Sequence, residues 1–151
     1  MDAKKLSLLL SATHDDNNER RQLAEKQLKA ASVQHGFGVS LLQITKIIGI
    51  PAPIRKSAAL YLKKMSAAKR MVSKDRSKAH WLLISESERQ FVRSNVLKVC
   101  LTSDAAVQRI LEDTIGNIAF HEFPKTWPAL AEQLASCIFN QQKIEVVDRR
   151  F

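Results

Sequence analysis

The chain has 151 residues, 45% of them apolar, with only four glycines and four prolines. That composition supports one packed domain and excludes a collagenous or low-complexity chain. No apolar run approaches the ~18 residues of a membrane span, and the five apolar or small residues after Lys5 are too short a core for a secretory signal. The net charge is +9, and one stretch supplies +6 of it: Lys63, Lys64, Lys69, Arg70, Lys74, Arg76 and Lys78 against Asp75.

Residues 4–10 form a short helix with Leu6, Leu9 and Leu10 on one side. Asp15-Asp16-Asn17-Asn18 is a turn rich in capping side chains, and Asp16 with Glu19 three residues on gives a capping box with an acidic cap. The helix that follows runs to about Ala31 and buries Leu23, Ala24, Leu28 and Ala31. Gly36 and Gly38 mark the next break. Phe37, Leu41, Ile44 and Ile48 then recur at i, i+4, i+7 and i+11, a helical stripe. Residues 49–53 stop this helix, and Pro53 suits the first turn of the next, where its missing N–H is not needed. That helix aligns Ile54, Ala58, Tyr61, Met65 and Ala68.

The apolar pattern is lost between Arg70 and His80, so an exposed basic loop is expected near residues 69–80. Trp81-Leu82-Leu83-Ile84 returns the chain to the core, and Ser85 or Ser87 caps a helix with Phe91, Val92, Val96, Val99 and Cys100 inward. Thr102-Ser103-Asp104 breaks and caps again, and the next helix buries Val107, Ile110, Leu111, Ile115 and Ile118. Phe123-Pro124-Lys125-Thr126-Trp127-Pro128 is a rigid turn before a last helix that buries Leu130, Leu134, Cys137 and Ile138. Residues 141–151 carry no assignable pattern. No stretch shows sustained strand alternation, so the chain reads as all-α.

Within that order a motif repeats. Arg21-x-x-Ala24-x-x-x-Leu28 returns as Arg55-x-x-Ala58-x-x-x-Leu62 and, loosely, as Gln108-x-x-Leu111-x-x-x-Ile115. The first two copies lie 34 residues apart and the next two 53, the excess nearly matching the basic loop. Such a period belongs to helix-pair repeats. The expected fold is an α-solenoid of about three HEAT-type antiparallel pairs, an ARM/HEAT-like superhelix, with pairs near 17–48, 53–101 and 104–140. Each pair needs its neighbours to cover its apolar face, and the product is a binding surface rather than an active site.

Nothing in the chemistry-bearing residues argues for an enzyme or a cofactor. His14, His35, His80 and His121 never fall at i, i+4, and neither cysteine neighbours one in sequence. Cys100 and Cys137 sit on apolar helical stretches and read as reduced core thiols. Glu86 with Glu88, and Glu112 with Asp113, point apart on a helix and read as solvated carboxylates. Tyr61, Trp81, Phe91 and Trp127 read as core packing. The basic stretch over residues 63–78 has three readings: a solvated loop, a grip for an acidic protein partner, or a non-specific contact to nucleic-acid phosphates. Its aromatics, Tyr61 and Trp81, stand only at the borders, so stacking on single-stranded bases lacks support.

The ordered set resembles a known family. It comprises Ala24-Glu25-x-x-Leu28, Leu41-Leu42-Gln43-Ile44, Ile54-Arg55-x-x-Ala58-Ala59-x-Tyr61-Leu62-Lys63-Lys64, Trp81, Ile84-x-Glu86-x-Glu88-Arg89-x-x-Val92-Arg93, Ile115-x-x-Ile118-Ala119 and Glu122-Phe123-Pro124-x-x-Trp127-Pro128-x-Leu130. Over residues 6–140 it is similar to the N-terminal region of the importin-β (karyopherin-β) superfamily of nuclear transport receptors, in its importin or its importin-α-recycling exportin branch.

The resemblance implies HEAT repeats, shuttling between nucleus and cytoplasm, and a part of the surface that binds Ran in its GTP state. Cargo proteins or importin-α would be held mainly by later repeats, and nucleoporins are further implied partners. Taking the inner, second helices as 37–48, 88–101 and 128–140, the expected Ran contacts are Gln43, Lys46, Gln90 and Ser94. Lys69, Arg70, Lys74, Arg76 and Lys78 form the loop expected to meet an acidic partner. Receptors of this family are several times longer, and a piece of three pairs is expected to expose the apolar side of its last pair and to self-associate or depend on a partner segment. The alternatives are a small basic helical protein binding nucleic acid through residues 63–78, or a truncated product without activity of its own.

Overall fold

The computed structural model describes residues 2–67 and 80–148, with side chains as far as Phe139. Among them are eight helices: α1 (Ala3–Ala12), α2 (Asn18–Ala31), α3 (Phe37–Lys46), α4 (Ala52–Ser66), α5 (His80–Leu83), α6 (Glu86–Thr102), α7 (Ala105–Glu122) and α8 (Leu130–Asp148). The all-α expectation holds. The basic loop expected near 69–80 lies outside the described residues except for His80, which opens α5. Part of the tail left unassigned, up to Asp148, continues α8.

Side-chain caps set where α1, α2, α6 and α7 begin. Asp2 accepts from the Lys4 N–H at α1, Ser85 from the Glu88 N–H at α6, and Asp104 from the Val107 N–H at α7. The cap of α2 is Asn17, which accepts from the Arg20 N–H, and not Asp16. The turn runs one residue longer than the capping-box reading because Asp15 accepts from the Asn17 N–H and holds that residue extended. Pro53 lies in the first turn of α4 as expected.

α3 is capped from another repeat. Gly36 (φ 85°) opens it in the left-handed region, which only glycine enters without strain. The carboxylate of Glu88, from α6, accepts from the Gly36 N–H at 3.0 Å and the Gly38 N–H at 2.8 Å. A negative charge on unpaired N–H groups at a helix start is doubly favourable. A Cβ at Gly38 would crowd Glu88 Oε1 at 3.2 Å and the Met65 methyl at 3.3 Å, so glycine permits the close approach. Glu88 is therefore buried and not the solvated carboxylate the sequence suggested.

The helices pack as α1 with α2, α3 with α4, and α6 with α7, while α3 also lies on α1 and α6, and α4 on α7. This is a stack of helix pairs, but the pairing runs one helix earlier than the expected 17–48, 53–101 and 104–140. The repeated motif explains the slip. Its copies fall in α2, α4 and α7, which are the second helices of their pairs, whereas the sequence reading took them as openers and left the helix over residues 4–10 unpaired. α1, α3 and α6 form one layer, and α2, α4 and α7 supply the second helices.

Leu6, Leu10, Leu28, Leu41, Ile44, Ala58, Leu62, Trp81, Val92, Val96, Leu111 and Ile118 are fully or almost fully buried in one continuous core. Of the helix-stripe residues expected inside, Leu23, Ile48, Phe91, Leu134 and Ile138 are instead 57, 90, 39, 39 and 58% exposed. Leu23 flanks the Ala24–Leu28–Ala31 stripe rather than joining it. Ile48 lies beyond α3, which ends at Lys46 when Ile47 turns extended. Phe91 sits beside Val92 at the edge of the α6 stripe. Among the described side chains of α8 only Leu130 is buried, and Leu134, Ile138 and Phe139 are largely exposed.

Charge ties α6 to α7. Glu122, fully buried, accepts from Arg89 at 3.1 Å and Arg93 at 2.8 Å, and Glu86 pairs with both arginines. The hydrogen bond from Arg93 chiefly holds the Glu86 carboxyl below the usual carboxylate range. A group with a depressed folded pKa contributes stability above its unfolded pKa and loses it as pH falls through the folded value. Glu86→Gln should therefore lower stability at neutral pH and converge on the parent at the acid end, so that the acid limb of its stability–pH curve is flatter, measured by urea melts from pH 3 to 7. Removing one partner of a buried pair costs about 3–5 kcal/mol. Because Arg89 still serves Glu122, Arg93→Ala should cost about 3 kcal/mol, the low end of that range, and a loss under about 1 kcal/mol would show the network to be incidental. Glu88→Ala should cost about 2 kcal/mol, the worth of hydrogen bonds to a charged group.

Candidate partner-binding surfaces

The expected Ran contacts all lie on the α1–α3–α6 layer. Gln43 and Lys46 are on α3, and Gln90 and Ser94 on α6, with all but the half-buried Gln43 exposed. The structure brings Gln43 and Lys46 into one groove of about 290 Å³ with Leu42, Phe91, Asn95, Lys98, Val99 and Thr102. Gln90 and Ser94 stand outside that lining. The pairing correction also changes their status: they are on the first helices of their pairs, not the second. Lys69, Arg70, Lys74, Arg76 and Lys78 lie outside the described residues.

The second helices present another face. On α4, Lys56, Leu60, Lys63 and Lys64 lie opposite the buried Ala58, Leu62 and Met65 by helical spacing. On α7, Arg109, Asp113, Gly116 and Phe120 lie opposite Leu111, Ile115 and Ile118. The two stripes are adjacent, because Lys63 Nζ meets Asp113 Oδ2 at 3.0 Å and Arg55 meets Asp104 at 3.5 Å. Leu60 and Phe120 are 45 and 76% exposed, and Lys56, Lys64 and Arg109 make no ion pair among the described residues. Exposed apolar side chains ringed by unpaired cations suit a protein partner better than bare solvent. Sequence reading missed this face because it assigned these helices to the outer layer.

Among the described residues no three His, Cys, Asp or Glu side chains gather to hold a metal, and no helix is long and apolar enough to cross a membrane. Cys100 and Cys137 are free thiols on a cleft of about 420 Å³ between α8 and the α6–α7 pair, also lined by Leu97, Ile115 and Leu134. Burial, with Glu112 adding, pushes the Cys100 thiol up to about 11. Since the thiolate is the reactive form, iodoacetamide on native protein at pH 8 should modify the half-buried Cys137 at least tenfold faster than Cys100, read by peptide mass mapping. Equal rates would mean that α8 leaves the cleft readily.

This stack of helix pairs, with open faces on both layers, defines a helical-repeat binding scaffold. Residues 24–102 match the importin-beta N-terminal domain, and the chain belongs to the importin-β family of transport receptors, a family of carriers and not of enzymes. It is 27% identical over 142 residues to the probable importin-7 homolog of Dictyostelium discoideum, covering 94% of this chain and 13% of that protein. It is 25% identical to the importin alpha re-exporter of Saccharomyces cerevisiae over 80% of this chain and 12% of that protein. With exportin-2 of Drosophila melanogaster it shares 28% identity over 79% of this chain and 12% of that protein. The chain thus spans about an eighth of these relatives' length.

The fold is similar to that of the exportin Cse1 in its cargo-free, cytoplasmic state (TM-score 0.73, 20% identity, 90% of this chain and 14% of that one). It is also similar to a chain from a structure in which Kap95p binding drives the switch loops of RanGDP to the GTP-bound conformation (TM-score 0.74, 21% identity, 87% and 16%).

Proposed function

We propose that this chain serves as the N-terminal portion of a nuclear transport receptor and binds Ran in its GTP state, as part of protein transport between nucleus and cytoplasm. The match of residues 24–102 to the importin-beta N-terminal domain carries this reading. We place Ran on the second-helix face, against Lys56, Leu60, Lys64, Arg109 and Phe120. That face joins exposed apolar anchors to unpaired cations across two repeats, and the similarity to a chain from the Kap95p–RanGDP structure supports the choice of partner. Cargo or importin-α would be held by further repeats of a longer solenoid. Coupling between the two would be reciprocal: whatever factor Ran imposes on cargo affinity, cargo imposes on Ran.

The test is titration calorimetry of the protein against Ran loaded with a non-hydrolysable GTP analogue, with Ran-GDP as control. Binding should prefer the GTP form and survive moderate salt. Charge reversal of Lys56→Glu with Arg109→Glu should weaken it about tenfold or more, as expected for charges facing a complementary surface, without changing helical content. Substituting Gln43, Lys46, Gln90 and Ser94 with alanine together should change it less than threefold. A loss confined to the second set would move Ran to the α3–α6 layer. Equal affinity for both nucleotide states would sink the proposal. Salt-labile, sequence-independent nucleic-acid binding in place of Ran binding would favour a role for residues 63–78.

A further inference from the structure

The groove between α3 and α6 lies on the layer away from the face proposed for Ran. Phe91, Asn95, Lys98 and Thr102 recur at i, i+4, i+7 and i+11 along α6 and form one wall. Gln43 and Lys46 stand on the other wall, and Leu42 and Val99 form the floor. Phe91 is 39% exposed although it neighbours the fully buried Val92, so a large aromatic face is left open in a concave site.

The electrostatics of this groove are one-sided. No acidic side chain lines it, and neither the Lys46 nor the Lys98 ammonium has an ion pair or hydrogen bond among the described residues. By contrast Lys63 is neutralised by Asp113 and Arg55 by Asp104 across the α4–α7 junction, and Arg89 and Arg93 by Glu86 and Glu122 within the α6–α7 pair. Asn95 and Thr102 already donate to the backbone carbonyls of Phe91 and Lys98, which leaves the Asn95 carbonyl oxygen and the Gln43 amide to face a ligand. From Phe91 to Thr102 the wall is about 16 Å long by helix rise, the reach of about five extended residues.

We propose that this groove binds a short acidic peptide segment of a partner protein, with one bulky aliphatic side chain seated on Phe91, Leu42 and Val99 and flanking carboxylates on Lys46 and Lys98. A nucleic-acid strand fits less well, because the floor is apolar and a phosphate would find cations only at the rim. The site needs no residue of the face proposed for Ran.

The probe is a fluorescein-labelled seven-residue peptide with a central leucine and three aspartates on either side, followed by fluorescence anisotropy with the full chain. Two control peptides carry alanine for leucine, or asparagine for every aspartate. Saturable binding is expected, weakened at least fivefold in each control and about tenfold by Lys46→Glu with Lys98→Glu, a variant of two exposed residues whose fold is checked by circular dichroism. Phe91→Ser should lose the leucine preference while keeping the aspartate preference. Equal binding of the asparagine peptide, or full binding by the doubly reversed variant, would overturn the proposal. So would an oligothymidylate that binds with the same Lys46 and Lys98 dependence while the peptide does not. Ran binding by the doubly reversed variant should stay within threefold of the parent, so failure of one reading leaves the other separately decided.

Discussion

No helix pair in this chain can bury its own apolar surface, and that constraint organises everything else. α4 is the clearest case. Its Ile54, Ala58, Ala59, Leu62 and Met65 are covered from α3 on one side and α7 on the other, and the stripe through Lys56, Leu60 and Lys64 is left to solvent. Burying side chains of this size is worth about 1.5–3 kcal/mol each for the larger ones, whereas an isolated helix of this length is marginal in water. Stability is therefore shared between neighbours, as in any solenoid.

Apolar stacking alone would let one pair slide along the next. Two buried carboxylates restrict this. Glu88 reaches from α6 across the junction to the N-terminus of α3 and can satisfy the Gly36 and Gly38 N–H groups in only one register. Glu122 locks α7 to α6 through Arg89 and Arg93 within the pair. Such groups do not add much net stability when compared with a well-packed apolar core, but they penalise every misaligned arrangement, because an unpaired buried charge is costly.

The helices, most of their core stripes and the caps of α6 and α7 could be read from the chain because they depend on local spacing: Leu28, Leu41, Ala58, Val96 and Leu111 each lie where a 3.6-residue period puts them. What failed depended on partners distant in sequence. The motif through Arg21, Arg55 and Gln108 correctly marked equivalent helices, but periodicity carries no information on whether a helix opens or closes its pair. Only the packing of α1 on α2 settles that register. Glu88 looked like a surface carboxylate because its partners are backbone groups fifty residues away. Phe91 looked like core because its phase is one residue from that of Val92. The candidate surfaces were the least legible part, since a face is defined by what neighbouring repeats leave uncovered.

A consequence of the two-layer design is that the two faces are mechanically linked but chemically separate. α3 and α4 belong to one pair, so a ligand that shifts α4 against α7 must also alter how α3 meets α6, where Glu88 fixes the register. The surface pairs Lys63–Asp113 and Arg55–Asp104 span the α4–α7 junction and can re-form after a small slide, because exposed ion pairs are weak and adaptable. The Glu88 cap cannot, because its carboxylate meets two fixed N–H groups in a buried site. Binding on the second-helix face would therefore bend the stack about the α3–α6 junction rather than shear it. The groove beside Phe91, on the other layer of that junction, would widen or narrow with the bend. Two ligands on opposite layers would then influence one another through curvature alone, with no shared contact residue.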